Sequence, residues 1–196
     1  MTLLFVLFHG LTGCKIKSDK GMVSLPALPD AVSMENPPVN NTIHQAALEG
    51  RTELVKKLLT EGLDVNTIDE DGRSPLMYAA FNGHYEIMKL LIDKGALTNA
   101  CDSNGRTALM MAASGPYPAA VKLLLDHQAD PNLIDKEEHF TALMYAAAEG
   151  QLDVVKILLA YKADPGLKDV DGDDALTFAR NNGHIEVASL LSLFKK

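Results

Sequence analysis

The chain has 196 residues, of which 47% are hydrophobic, and a formal net charge of −8 at pH 7. Residues 1–39 contain three basic and three acidic side chains, so residues 40–196 carry the whole net charge. No apolar run approaches the roughly 20 residues of a membrane-spanning helix, and the acidic balance argues against a nucleic-acid partner and favours a basic protein.

Residues 1–13 have the outline of a secretory signal. An apolar run at residues 3–8 is followed by small residues, and charge begins abruptly at Lys15. The segment Leu11-Thr12-Gly13-Cys14 resembles the lipobox of bacterial lipoproteins. That resemblance implies a signal peptide over residues 1–13 and an acylated N-terminus at Cys14, whose several acyl chains would form a durable membrane anchor.

The residue after the cysteine predicts where the anchor lies. By resemblance to the sorting rule of enteric bacteria, Lys15 in place of Asp implies the periplasmic face of the outer membrane. The alternatives are the soluble periplasm, or the cytoplasm if the apolar leader is not a signal. Residues 14–40 are then a flexible tether, because Pro26, Pro29, Pro37 and Pro38 disfavour regular structure there.

A five-residue motif recurs through the rest of the chain. Its first residues are 33, 33, 34 and 33 positions apart. The copies are Ile43-His44-Gln45-Ala46-Ala47, Leu76-Met77-Tyr78-Ala79-Ala80, Leu109-Met110-Met111-Ala112-Ala113, Leu143-Met144-Tyr145-Ala146-Ala147 and Leu176-Thr177-Phe178-Ala179-Arg180. A fixed period of this length is the signature of stacked structural repeats, which must bury their apolar faces against one another.

Each repeat contains a second apolar cluster after a glycine or a polar link. This spacing predicts two antiparallel helices of about 8 to 10 residues in each repeat. Asp71-Gly72, Asn104-Gly105 and Asp171-Gly172 supply the turn residues of a β-hairpin between successive repeats. The predicted domain covers residues 41–196, with units at about 41–70, 71–103, 104–137, 138–170 and 171–196.

The segment Ser74-Pro75-Leu76-Met77-Tyr78-Ala79-Ala80 resembles the ankyrin-repeat signature T-P-L-H-x-A-A, and Gly83-His84-Tyr85-Glu86-Ile87 resembles the start of that family's second helix. The resemblance implies an all-α repeat fold, an α-solenoid of five helix-turn-helix units with β-hairpin fingers. It also implies a protein-binding module that is not an enzyme and needs no cofactor or metal. Methionine replaces the family's signature histidine in three units, and we expect packing to substitute for the missing hydrogen bond.

The same resemblance places a binding groove along the hairpin tips and the exposed side of each first helix. Its candidate contact residues are Glu70, Asp71, Arg73, Phe81, Ser103, Asn104, Arg106, Lys136, Glu137, Glu138, His139, Phe140, Asp171 and Asp173. The expected partner is another protein with a basic surface, and the chain is expected to be a monomer. Alternatively, the acidic hairpin residues serve only turn formation and solubility.

Two further features leave alternatives open. Tyr78, Met111, Tyr145 and Phe178 occupy one repeat position, so they form a ladder that either packs between repeats or faces the groove as binding hot spots. The hairpin of the fourth unit, at Lys136-Glu137-Glu138-His139-Phe140, is one residue longer than the others and is predicted to project His139 and Phe140. By the resemblance, His44, His84 and His184 are structural residues at helix starts and between repeats.

These features predict a membrane-tethered protein-binding module of the bacterial envelope that uses an acidic concave surface. One alternative is an inhibitor or immunity protein that neutralises a periplasmic toxin or hydrolase. Another is a cytosolic regulatory scaffold, if the leader is not a signal.

Overall fold

The computed structural model describes residues 42–194, which form five consecutive helix pairs. The first helices of the pairs are α1 Ile43–Leu48, α3 Pro75–Phe81, α5 Ala108–Ala113, α7 Ala142–Ala148 and α9 Ala175–Asn181. The second helices are α2 Thr52–Thr60, α4 Tyr85–Asp93, α6 Pro118–Asp126, α8 Leu152–Ala160 and α10 Ile185–Ser192. The all-α repeat fold is therefore confirmed.

The first helices are shorter than predicted, at six or seven residues, while the second helices have eight or nine. Each first helix begins at a side-chain cap, as when the Ser74 hydroxyl accepts a hydrogen bond from the Met77 backbone N–H. Four of the five links to the second helix contain a glycine at positive φ, such as Gly83 at 65°. A left-handed residue stops a helix, so these first helices end after about two turns.

Methionine sulfur takes part in the first-helix caps. The backbone N–H groups of Ser74, Thr107 and Thr141 lie 3.4 Å from the sulfurs of Met77, Met110 and Met144 respectively. Sulfur is a weak acceptor. The expectation that packing alone replaces the family's histidine bond is therefore wrong in these three units, because the thioether itself accepts a bond.

The hydrophobic core runs continuously through the stack of helices. The alanine pairs Ala46-Ala47, Ala79-Ala80, Ala112-Ala113 and Ala146-Ala147 are completely buried where successive first helices meet. Val55, Met88, Leu124 and Leu158 are equally buried on the second helices. Since each pair packs mainly on its sequence neighbours, the free energy of folding is shared along the array.

The connections between repeats are compact turns, which we call fingers and number by the repeat that each leads into. The second finger is residues 69–73, the third 102–106, the fourth 135–140 and the fifth 169–173. In the described part of the chain no strand forms, and the β-structure is a single isolated bridge between Cys101 and Thr107. The predicted β-hairpins are therefore wrong as strands, although a chain reversal occurs at each place. Each finger is closed by one backbone bond, such as Asp69 N–H to Arg73 O at 3.1 Å, and an aspartate carboxylate accepts two further N–H groups of the turn, so no ladder of strand pairs extends from it.

Each finger is built on an aspartate at its first position. One carboxylate oxygen of Asp69, Asp102, Asp135 and Asp169 accepts two backbone N–H bonds from its own finger, at 2.7 to 3.2 Å. Neighbouring fingers are also joined by backbone bonds, Ser103 N–H to Asp71 O at 2.8 Å and Lys136 N–H to Asn104 O at 2.8 Å. The row of fingers is thus tied together along the array.

Asparagines join the loops that follow the second helices. The Asn99 side chain donates to the Gln128 carbonyl at 2.9 Å and accepts from the Asp130 N–H at 2.8 Å. Asn66 and Asn132 make the corresponding bonds to the next repeat. Gly166 stands at this place in the fourth repeat and has no such side chain.

Candidate protein-binding surface

The ladder residues Tyr78, Met111, Tyr145 and Phe178 lie on the first helices beside the fingers, and all four are half-buried. They pack against the core, and three of them, Tyr78, Met111 and Tyr145, also line a cavity of about 420 Å³. Packing between repeats is therefore confirmed for all four residues, while a role as binding hot spots stays a prediction.

The two tyrosines of the ladder hold the fingers in place. The Tyr78 hydroxyl donates to Asp69 Oδ2 at 2.6 Å, and the Tyr145 hydroxyl donates to Asp135 Oδ2 at 2.9 Å. Burial, together with the adjacent Asp135 carboxylate, raises the pKa of Tyr145 well above its usual range. Burial and the bond to Asp69 raise the pKa of Tyr78 in the same direction. Burial would also raise the pKa of Asp69, but the bonds from Tyr78 and the turn N–H groups outweigh it and lower that pKa.

The third finger is held by arginines, because Met111 has no hydroxyl to donate. Asp102 is only 1% exposed, and its Oδ2 accepts from Arg106 Nε at 3.0 Å and lies 2.9 Å from Arg106 Nη2. Arg73 Nε lies 3.7 Å from the same oxygen, and Arg73 Nη1 lies 3.2 Å from Asp71. Both predicted contact arginines thus line the groove with their charges balanced by nearby carboxylates.

The prediction that the fourth finger projects an aromatic side chain is wrong. Phe140 is half-buried, and its ring packs edge-on against Tyr145 and Phe178 at centroid distances of 5.5 and 4.8 Å. His139 takes a left-handed conformation with φ of 60°. This extra residue directs the chain inward before Phe140, so that the imidazole is exposed while the phenyl ring joins the ladder.

The remaining predicted contact residues divide between exposed tips and turn positions. Glu70, Asp71, Ser103, Lys136, Glu137, Glu138 and Asp171 are exposed, and Phe81 is 54% exposed. Asn104 and Asp173 are half-buried. Lys136 Nζ donates to the Ser103 carbonyl at 2.9 Å, which links two fingers.

Turn formation accounts for part of the acidic surface. Asp69, Asp135 and Asp169 accept N–H bonds within their fingers, and Asp174 caps α9. These four carboxylates therefore take part in turn formation or helix capping, which is part of what the alternative predicted. The exposed carboxylates at the fingertips are Glu70, Asp71, Glu137, Glu138 and Asp171.

Leu48 and Met110 also line the cavity but were missed as contact residues. Leu48 occupies the same repeat position as Phe81, 33 residues earlier, and this shared position was the available signal. Met110 carried no such signal, since its position suggested only a buried helix start.

The predicted structural role of His44, His84 and His184, at helix starts and between repeats, is confirmed. His84 and His184 Nε2 lie 2.9 Å from the carbonyls of Leu48 and Ala148 in the preceding repeats, and His44 Nε2 lies 3.2 Å from the Thr67 carbonyl. Tyr117 takes the histidine's place in the third repeat, where its ring packs on Gly83 so closely that any Cβ there would collide with it.

Within residues 42–194, no group of three potential metal-ligating side chains converges. None of the helices in that range combines the length and apolar character needed to cross a membrane. Cys14, the predicted lipidation site, lies outside the described residues.

Comparison with known families gives one result. Residues 43–135, 99–169 and 117–195 each match the family described as ankyrin repeats (3 copies). Comparison with curated proteins finds no match.

Proposed function

We propose that this chain, which belongs to the ankyrin-repeat family, is a protein-binding module. It holds a basic partner against its fingers and first helices. Ankyrin repeats mediate protein–protein interactions and are generally non-catalytic scaffolds. The observation that carries the proposal is the placing of exposed fingertip carboxylates beside a cavity lined by half-buried aromatic side chains.

The two parts of this surface have different physical roles in binding. Glu70, Glu137, Glu138 and Asp171 are exposed at the fingertips, where carboxylates attract a cationic surface and accelerate association. The aromatic and methionine side chains behind them offer apolar area that is desolvated on contact, and such anchors dominate the affinity of interfaces.

We further propose that the module is tethered through Cys14 to the periplasmic face of the outer membrane. The support is the lipobox-like segment Leu11-Thr12-Gly13-Cys14 and the proline-containing residues 15–40 that separate it from the first helix. A tether of about 25 residues spans roughly 25 to 30 Å on average if flexible, enough to hold the repeats away from the bilayer.

Site-specific photo-cross-linking in cells tests the binding surface. A photoreactive phenylalanine analogue at Ser103, on an exposed fingertip, should cross-link to a protein partner. The same analogue at Glu86, which is exposed on the second helix α4, is the matched control and should not cross-link to the partner. Cross-linking from Glu86 but not from Ser103 would contradict the proposed surface.

A further inference from the structure

The cavity of about 420 Å³ lies where the third repeat has smaller side chains than the second at two positions. Met111 stands where the second and fourth repeats have Tyr78 and Tyr145. Ser114 stands where the second repeat has Phe81. All five of these residues line the cavity. The space therefore lies where Met111 stands between the two tyrosines of the ladder and where the small Ser114 follows the ring of Phe81.

The cavity offers mainly apolar surface. Leu48, Phe81, Met110 and Met111 contribute aliphatic, aromatic and thioether groups to its lining. The hydroxyls of its two tyrosines donate to finger carboxylates of the chain itself. An occupant thus meets mainly aromatic, aliphatic and thioether groups, which favours an apolar side chain.

The polar side chains that line the cavity do not favour an anionic occupant either. Arg106 is engaged by Asp102 at 2.9 Å, and Arg73 lies within 4 Å of Asp71 and Asp102. Two carboxylates therefore balance the two guanidinium groups. An incoming carboxylate would have to compete with these internal ion pairs.

The rim around the cavity is acidic. The third finger is bonded to the second through Ser103 and Asp71 and to the fourth through Asn104 and Lys136. These two flanking fingers expose Glu70, Glu137 and Glu138. They also expose Asp71, which is paired with Arg73, and Lys136, which donates to the Ser103 carbonyl. Because exposed carboxylates attract cations over several ångströms, the rim favours lysine or arginine on either side of an apolar anchor.

We propose that the cavity receives one large apolar side chain from a partner segment whose flanking residues are basic. This proposal rests on the proposed function and specifies the chemistry of the partner. The volume lies within the range of pockets that enclose small organic ligands, so it suffices for a leucine, methionine or aromatic side chain.

Selection from a phage-displayed library of random dodecapeptides on the full-length protein tests the specificity. Enriched peptides should share a large apolar residue with lysine or arginine nearby. Enrichment of acidic peptides, of peptides without an apolar residue, or of none above background would overturn the proposal.

Filling the cavity tests the anchor with a synthetic, fluorescent form of the most enriched peptide. Met111→Tyr restores the residue of the neighbouring repeats, so the fold should be retained, as circular dichroism can verify. We expect it to weaken peptide binding at least tenfold by fluorescence anisotropy. Ser114→Phe, which copies Phe81, is the second variant should the first fail to fold. Unchanged affinity in a folded variant would overturn the proposal.

Charge reversal tests the rim independently. The double variant Glu70→Lys with Glu137→Lys should weaken peptide binding and reduce its salt dependence. The control double variant, Glu53→Lys with Glu86→Lys on the second helices α2 and α4, should change the affinity less than twofold. Equal effects of the two pairs would contradict a role for the rim. Cross-linking from Ser103 that persists while these peptide tests fail would leave the proposed function standing without this partner chemistry.

Discussion

Asp102 differs from Asp69 and Asp135 in the group that binds its Oδ2 atom. Asp69 and Asp135 accept a tyrosine hydroxyl there, whereas Asp102 is held by Arg106 with Arg73 nearby. A buried carboxylate paired with a cation loses much free energy when either partner is removed. The third finger thus depends on charge where its neighbours depend on neutral donors.

We expect Asp102→Ala to lower the free energy of unfolding by about 3 kcal/mol, since it removes two turn bonds and leaves two arginines without their shared carboxylate. Asp171→Ala, on an exposed fingertip, is the matched control and should cost less than about 0.5 kcal/mol. Urea unfolding measures both values. A loss at Asp102 no larger than at Asp171 would refute this account.

The tyrosines predict a loss of stability in alkali. The folded-state pKa values of Tyr78 and Tyr145 are raised, so the folded protein retains these protons more strongly than the unfolded chain does. Their contribution is complete below about pH 10, the unfolded value, and is lost as the pH rises through the folded values. Urea midpoints measured from pH 8 to 11 should stay level at first and fall as the pH approaches and passes 10, less steeply in Tyr145→Phe. An equal slope in both proteins would contradict the assignment.

At the scale of the elements, the loops after the second helices contain one left-handed residue each. Gly62 and Gly95 have φ of 93° and 89°, and glycine adopts these angles without steric cost. Gln128 and Lys162 occupy the same place in the next two repeats with φ of 64° and 66°. These two loops therefore store strain that the earlier loops avoid.

Gln128→Gly should raise the free energy of unfolding by about 0.5 to 1 kcal/mol, because relief of left-handed strain exceeds the entropic cost of glycine. Its carbonyl remains available to Asn99. The reverse exchange, Gly95→Gln, should destabilise the protein. Thermal unfolding of the two variants checks the signs, and destabilisation by Gln128→Gly would show that its side chain contributes more than its backbone costs.

At the scale of the whole molecule, stability is distributed over the interfaces between neighbouring repeats. Leu124, in the central repeat, is fully buried, whereas Leu193 in the last one is 79% exposed. Loss of a buried leucine side chain removes apolar contacts and leaves a cavity. The effect of a leucine truncation should therefore depend on its place in the array.

Leu124→Ala should cost about 2 to 5 kcal/mol, and Leu193→Ala should cost clearly less. Urea unfolding of the two variants provides the comparison. Equal losses would contradict a stability that is summed over neighbouring interfaces.

The proposed anchor makes a separate prediction at this scale. Cys14→Ala should release the protein from the membrane fraction and abolish labelling by a palmitate analogue, because the acyl chains would have no attachment point. Replacement of Cys101 with alanine serves as the control and should leave fractionation unchanged. Membrane association that survives Cys14→Ala would exclude the lipid anchor.

The sequence by itself determined the period, the helix pairs, the finger positions and the family, because each depends on local patterns that recur about every 33 residues. Tertiary structure decided what those residues do together. Phe140 is turned inward by the left-handed His139, and Asp102 is shared by arginines of two repeats. The cavity likewise depends on how Met111 and Ser114 stand between the rings of adjacent repeats. Sequence spacing identifies residues in equivalent positions, whereas the contacts between them depend on side-chain directions that only the packed repeats define.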